Sequence, residues 1–224
     1  MLQVAANIWQ VCAGVFPANS YIWKGDVPGG GILIDAGLDP EPIDAALMAL
    51  AVQPRAVICT HGHFDHIGSA SVFQDKYNAD VYLHTADLKT AKAANFLMMA
   101  FKVPAKLKLP RFRLVDGDVG DVRIGEVTVS YQRLPGHSPG SCFINIGQTC
   151  FSGDTLYGSS LGLSKIPGED PVLLRRSLRT VWDTIAPEIL ICPGHGRVAT
   201  YAAIRAHNTE LAAFMKQPDG ELVV

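Results

Sequence analysis

The sequence has few charged residues and no excess of positive charge. Asp, Glu, Lys and Arg make up 18% of the 224 residues, against about 25% in a typical globular protein. Hydrophobic residues make up 48%, and this composition excludes a disordered chain, a collagen and a coiled coil. With 19 basic and 21 acidic residues the formal net charge is −2, so we expect no binding of nucleic acid through a positive surface.

Cysteine pairs, a long apolar segment and a basic leader are also missing. The 5 cysteines are widely spaced and form no C-x-x-C motif, so we expect buried, reduced thiols rather than disulfides or metal ligands. No apolar run approaches the ~18 residues of a membrane span. The first basic residue is Lys24, so no secretory signal is predicted. These features favour a cytoplasmic protein that does not contact a membrane.

Short strands and helices alternate throughout residues 1–224, and no linker or low-complexity tract separates them. Apolar residues at helical spacing predict helices at 40–50, 66–77, 86–101, 171–185 and 200–215. Hairpins are expected at 122–134 and 141–152, around turns that contain glycine. Hairpins mixed with strand–helix–strand units predict a single α/β domain whose sheets carry helices on their outer faces.

A dense group of histidines follows a buried strand predicted at 55–60. Three imidazoles and one carboxylate lie within six positions, in the sequence His61-Gly62-His63-Phe64-Asp65-His66. Imidazole nitrogens and carboxylate oxygens are ligands for zinc and related divalent ions. His61 and His63 can face one ion, while Asp65 and His66, at the start of the next helix, can face a second.

Two further histidines share one local sequence, a Pro-Gly-His turn at the end of a predicted strand. His137 follows the strand that starts at 127, and His195 follows the strand that starts at 188. Functional side chains commonly lie on such connections, and the repeated turn in a chain with a histidine cluster favours ligand roles for both. Asp154 ends another strand, and its two oxygens can bridge two ions.

The sequence resembles the metallo-β-lactamase superfamily, whose T-H-x-H-x-D-H-x-G signature is present from Thr60 to Gly68. The resemblance implies a four-layer αβ/βα sandwich, with two mixed sheets, helices on the outer faces and a dinuclear metal site at one edge. It assigns the first ion to His61, His63 and His137, the second ion to Asp65, His66 and His195, and both ions to Asp154. Asp35 matches a position that supports the site from behind.

The resemblance also implies a reaction. Two divalent ions, with zinc expected and iron or manganese as alternatives, share a hydroxide that attacks a carbonyl carbon, and Asp65 and Asp154 are the catalytic carboxylates. Segments 134–140 and 152–157 are most similar to the short relatives of glyoxalase II, which hydrolyse S-2-hydroxyacylglutathione. The expected partner is a small thioester, ester or lactone. The alternatives are a lactonase and a persulfide dioxygenase that uses one iron ion.

The sequence indicates fewer residues for substrate binding than for metal binding. Tyr157 lies in the glyoxalase-like segment and is expected to contact the substrate, whereas Leu163 and Lys165 stand where that family often has an arginine and an acid. We expect Lys165, with the lysines at 102, 106 and 108, to meet a substrate carboxylate. The stretch 86–109 is either a helix covering the core or a lid over an apolar acyl group, with Met98 as a contact. The oligomeric state stays open between monomer and dimer.

Overall fold

Two sheets form the centre of the structure, a computed structural model that describes residues 1–14, 16–25, 30–164 and 166–219. The first sheet has seven strands in sequential order: β1 Leu2–Ala5, β2 Ile8–Cys12, β3 Asn19–Lys24, β4 Gly30–Ile34, β5 Gln53–Ile58, β6 Asp80–His84 and β7 Phe112–Val115. The second has six strands in the order β13-β12-β11-β10-β9-β8: β8 Val119–Ile124, β9 Val127–Arg133, β10 Cys142–Ile146, β11 Thr149–Gly153, β12 Leu190–Pro193 and β13 Ala199–Thr200.

Helices cover the outer face of each sheet. Those on the first sheet are α1 Pro40–Ala49, α2 Phe64–Ile67, α3 Ala70–Tyr77 and α4 Leu88–Ala100. Those on the second sheet are α5 Pro171–Val181, α6 Tyr201–His207 and α7 Thr209–Lys216. The order helix, sheet, sheet, helix is the four-layer αβ/βα sandwich predicted from the sequence, and this prediction is confirmed.

The alternation of side chains between the two faces of each strand explains how the chain forms three layers of hydrophobic core. In β4, Ile32 and Ile34 pack between the two sheets, whereas Leu33 faces the helices of the first half. In β11, Phe151 packs between the sheets, whereas Cys150 faces the helices of the second half. Successive side chains of a strand point to opposite faces, so strands buried on both faces have continuous apolar sequences.

The strand directions bring several loops to one edge. β4 to β7 run parallel to one another, and so do β11 and β12. β9 and β11 both pair antiparallel with β10 and therefore share a direction. The backbone N–H of Cys142, at the start of β10, donates to the carbonyl of Thr60, just beyond β5. This bond places the carboxyl ends of β5 and β9 beside each other.

Two of the predicted helices are each divided in the structure. The helix expected at 66–77 consists of α2 and α3, because Ser69 turns away to donate to the carbonyls of Ala36 and Gly37. The helix expected at 200–215 consists of α6 and α7, because the side chain of Asn208 accepts from the N–H of Leu211 and caps α7.

The expectation of buried thiols is met at four of the five cysteines. Cys59, Cys142, Cys150 and Cys192 are buried and Cys12 is exposed, and all five are free. Among the described residues, no helix has both the length and the apolar character needed to cross a bilayer.

Candidate metal centre

The first half of the site is built on the segment that leaves β5. His61 and His63 lie in this segment, and α2 then starts at Phe64, so that Asp65 and His66 project from its first turn. His61, His63 and His66 are at most 4% exposed. Burial of three imidazoles in so short a segment requires a polar partner or a bound ion for each of their nitrogens.

The second half of the site comes from three strand ends of the second sheet. His137 follows β9, Asp154 follows β11 and His195 follows β12. The two Pro-Gly-His turns need glycine for different reasons. Gly136 has φ of 142° and its Cα faces the backbone of Leu174, whereas a Cβ on Gly194 would lie 2.0 Å from Asp154 Oδ1. Gly194 therefore lets the turn pack directly against the site.

The structure brings all seven predicted ligands together. Donor atoms of His61, His63 and His137 form one group, and those of Asp65, His66 and His195 form another. Within each group the atoms lie within 4.8 Å of one another. His63 Nδ1 and His137 Nε2 are 2.9 Å apart in the first group, and His195 Nε2 and Asp65 Oδ2 are 3.3 Å apart in the second.

Asp154 lies between the two groups. Its Oδ2 is 3.5 Å from His137 Nε2 in the first group and 3.5 Å from His195 Nε2 in the second. Its Oδ1 is 3.4 Å from His66 Nε2. A carboxylate in this position can serve both groups at once, which is the geometry that the predicted bridging role requires.

Burial sets the charge state of His61 and His63. It lowers the pKa of His61 well below its usual value and that of His63 to about 4. Both imidazoles are therefore neutral at physiological pH, with a nitrogen lone pair available to a metal ion.

The second group has the opposite tendency because carboxylates surround it. Burial alone would lower the pKa of His66, but Asp154, Asp65 and Asp35 raise it well above its usual value. Against the same effect of burial, hydrogen bonds with Asp154 and Asp65 raise the pKa of His195 to about 9. This half of the site thus attracts positive charge, which protons supply in the metal-free chain.

Unpaired buried atoms test whether the residues fit metal ions. His61 Nε2, His66 Nε2 and Asp154 Oδ1 are buried and have no hydrogen-bond partner in the described parts of the chain. Such atoms are costly unless an ion or a water molecule satisfies them. Nitrogen and oxygen donors converge on both groups, and the donor set fits divalent zinc, iron or manganese.

Asp35 holds the site from behind, as the resemblance implies. Its carboxylate accepts from the backbone N–H and the hydroxyl of Thr60, at 2.7 and 2.8 Å. The same carboxylate lies 2.8 Å from His66 Nδ1. This contact fixes the ring so that Nε2 points into the site, the usual arrangement behind a histidine ligand.

Glu169 performs a similar role for His137, and no sequence motif indicates it. Its Oε1 is 3.3 Å from His137 Nδ1, and its side chain is 3% exposed. The carboxylate also accepts from the backbone N–H of Ser164, at 3.0 Å. Glu169 therefore joins a predicted metal ligand to the loop that precedes α5.

Asp87 is a second buried carboxylate that the sequence patterns do not reveal. It accepts from the backbone N–H of Gly62 at 2.6 Å and from that of Gly140 at 2.7 Å. The hydroxyl of Ser138 donates to it as well, at 2.7 Å. Asp87 thereby connects the loop that carries His61 to the loop that carries His137.

A cavity of about 530 Å³ opens above the two groups. Its floor is polar and is formed by His63, Asp65, His137, Asp154 and His195. Its walls are largely apolar and include Phe16, Phe64, Leu97, Phe101, Leu163 and Ile166. Cavities of this size hold small molecules, and five of the seven predicted ligands line it.

The predicted substrate contacts are found in different places. Tyr157 lines the cavity and stacks on His195, with ring centroids 6.5 Å apart. Met98 is 1% exposed and packs in the core, so its expected contact with the substrate is wrong. Leu97, one position earlier on α4, lines the cavity instead. Lys165 lies outside the described residues.

The stretch 86–109 combines both of its expected roles. The inner face of α4 packs against the core through Ala91, Ala94 and Met98, while Leu97 and Phe101 form part of the cavity wall. The lysines of this stretch do not line the cavity. Those at 102 and 106 border a separate surface depression, and the one at 108 pairs with Asp75.

Two curated relatives match nearly the whole chain. The probable metallo-hydrolase YqgX of Bacillus subtilis is 29% identical over 189 residues, with 82% of this chain and 87% of the relative covered. The hydroxyacylglutathione hydrolase GloC of Haemophilus influenzae is 26% identical over 208 residues, with 90% and 96% covered.

Solved structures and a family model give the same result. The B3 metallo-β-lactamase BLEG-1 has a TM-score of 0.82 at 28% identity, with 94% of this chain and 100% of that one covered. TTHA1623 in a di-iron-bound form has a TM-score of 0.78 at 31% identity, with 89% and 98% covered. The model of the metallo-beta-lactamase superfamily matches residues 13–195. The chain therefore belongs to the metallo-β-lactamase superfamily.

Proposed function

We propose that the chain is a metal-dependent hydrolase that cleaves a thioester or ester bond with two divalent ions. The position of Asp154 carries this proposal, because its carboxylate lies between two groups of buried donors at the floor of an open cavity. His61, His63 and His137 would hold one ion, Asp65, His66 and His195 the other, and Asp154 both. Two bound divalent ions lower the pKa of a water molecule toward neutrality and so make a nucleophile available.

The residues around the cavity have separate tasks in this reaction. Asp65 lines the cavity and accepts the proton that the water molecule loses. Burial and the neighbouring Asp154 raise the pKa of Tyr157 well above its usual value, so its hydroxyl stays protonated and donates to the substrate oxygen. Asp35 and Glu169 keep His66 and His137 in orientation from behind.

The relatives support the bond type and the kind of ion. GloC is a hydroxyacylglutathione hydrolase, which is a thioesterase, and YqgX is a probable metallo-hydrolase. We propose zinc as the ion, with iron as the alternative, since TTHA1623 has been observed with two iron ions. Histidine and aspartate ligands suit both metals.

The proposal is tested on the purified chain by metal analysis and parallel assays. The substrates are S-lactoylglutathione, neutral acyl thioesters, a homoserine lactone and glutathione persulfide. We expect two divalent ions per chain and hydrolysis of thioesters. A single iron ion with oxygen uptake on the persulfide would contradict the proposal, and preferred turnover of the lactone would replace the thioester with a lactone.

Substitution of the central carboxylate tests the two-ion arrangement. We expect Asp154→Ala to lower the metal content to one ion or fewer, because both groups lose the ligand they share. Activity should fall by more than roughly 100-fold. Loss of a residue that only supports a metal ligand already lowers activity by up to about that factor, and Asp154 is expected to bind the ions directly. The control is Asp118→Ala, since that side chain is 80% exposed and pairs with Arg133. Full activity and two ions in Asp154→Ala would rule out the bridging role.

A further inference from the structure

Three phenylalanine rings form one wall of the cavity beside the predicted metal ligands. Phe16 and Phe64 meet edge to face, with centroids 5.2 Å apart. Phe101 completes the set, at 5.8 Å from Phe16 and 6.0 Å from Phe64. The three rings come from the β2–β3 connection, α2 and the end of α4. We call these three residues the aromatic wall.

The aromatic wall adjoins the reacting centre. Phe64 directly precedes Asp65, whose carboxylate lies at the cavity floor. Leu97 extends the wall along α4. Ser160 and Ser164, from the second half of the chain, also line the cavity, together with the apolar Leu163 and Ile166. The cavity therefore has one aromatic surface and another that includes both polar and apolar residues.

From this arrangement we infer that the acyl group cleaved here is apolar and uncharged, and that it packs on the aromatic wall. This inference rests on the proposed function and adds the substrate class to it. Burial of an aliphatic chain against such rings is favourable. The polar part of the thiol then lies toward Ser160 and Ser164.

Charge in the cavity favours the same class. No Lys or Arg lines the cavity among the described residues. A carboxylate on the acyl group would lose its hydration against the aromatic wall and would gain no cationic side-chain partner from these residues. The lysines at 102 and 106 border another depression, and the one at 108 pairs with Asp75.

A set of thioesters that differ only in the acyl group tests the inference. Acetyl, lactoyl, hexanoyl and succinyl thioesters of N-acetylcysteamine share one uncharged thiol. We expect kcat/KM for the hexanoyl compound to be at least about tenfold above that for each of the other three, as for methylene groups in a fitted pocket. A preference for the lactoyl or succinyl compound would overturn the inference.

A positive charge introduced into the aromatic wall tests whether the wall determines the preference for an uncharged acyl group. Phe101 is 46% exposed at the edge of the wall, so Phe101→Arg can place its guanidinium in the cavity mouth, with loss of the ring contacts to Phe16 and Phe64. We expect the hexanoyl-to-succinyl ratio of kcat/KM to fall at least about tenfold. Phe96→Arg is the matched control, because Phe96 is 66% exposed on the same helix and does not line the cavity. An unchanged ratio in Phe101→Arg would contradict the inference.

A binding measurement distinguishes failure of this inference from failure of the proposed function. If no thioester or ester is hydrolysed, the proposed function is wrong, but acyl-group recognition is still measurable. Calorimetry then compares S-hexyl and S-methyl thioethers of N-acetylcysteamine, which cannot be hydrolysed. We expect the hexyl compound to bind at least about tenfold more tightly. Equal affinity of the two thioethers would overturn the inference.

Discussion

At the scale of single residues, Glu169 links metal binding to the shape of the cavity. Its carboxylate contacts His137 on one side and the backbone of Ser164 on the other. Ser164 lines the cavity, so the same side chain positions a predicted ligand and part of the substrate wall. Outer partners of this kind set the tautomer and the orientation of a histidine ligand.

We expect Glu169→Gln to weaken metal binding by roughly 10–100-fold, because the neutral amide replaces a charged acceptor behind His137. Competition with a chromophoric chelator measures the affinity for zinc directly, without an activity assay. Glu126→Gln is the matched control, since the Glu126 side chain is 87% exposed and pairs with Arg123. Unchanged zinc affinity in Glu169→Gln would show that the contact with His137 has no positioning role.

The residues that the sequence reveals are those whose ligand chemistry is concentrated in a motif. Three histidines and an aspartate within six positions indicate a site by themselves, whereas Glu169 and Asp87 are single carboxylates with no distinguishing neighbours. Met98 shows a second limit. Adjacent positions of a helix point about 100° apart, so the choice between Leu97 and Met98 depends on packing that the apolar sequence of this stretch does not specify.

At the scale of elements, Asp87 holds two loops at the beginning of α4. It accepts from the backbone of Gly62 and of Gly140. These loops leave different sheets and carry predicted ligands of the same group. The loops are thus joined through one carboxylate that is itself 0% exposed. Their relative position depends on this residue even when no ion is bound.

We expect Asp87→Ala to destabilise the metal-free protein by roughly 2–5 kcal/mol, because two buried N–H groups lose their acceptor. Urea unfolding in the presence of a chelator measures this effect apart from metal binding. The control is Asp75→Ala, which removes an exposed pair with Lys108 and should cost less than about 1 kcal/mol. Equal losses in the two variants would contradict the assigned role of Asp87.

The limits of a helix or strand were predictable where the local sequence pattern and the tertiary packing favour the same structure. α1 and β9 end within one residue of their predicted limits. The helix break at Ser69 was not predictable, because Ser69 acts through a partner distant in sequence, at Gly37. Asn208 combines a local cap on Leu211 with a bond to the distant Tyr157. The edge strands β1 and β7 are partly exposed and so lack the apolar pattern that marks a buried strand.

At the scale of the whole molecule, the site lies between two halves that each contain one sheet and its helices. The first half supplies His61, His63, Asp65 and His66, and the second supplies His137, Asp154 and His195. The four-layer order was predictable through the family resemblance. The cavity was not, since its walls combine residues from both halves that are more than 100 positions apart, such as Phe16 and Leu163.

Because each donor group includes ligands from both halves, bound ions should stabilise the whole chain by connecting the halves. One site at an ion concentration 100-fold above its Kd adds about 2.7 kcal/mol, equivalent to roughly 5–10 °C in Tm for a chain of this size. We therefore expect a chelator to lower Tm by at least that amount. Hydrogen exchange should become faster on both sides of the site, in the segments around His61 and around His195. Amides of β8, at the outer edge of the second sheet, are the internal control. Faster exchange confined to one half would contradict the model of ions held between the two halves.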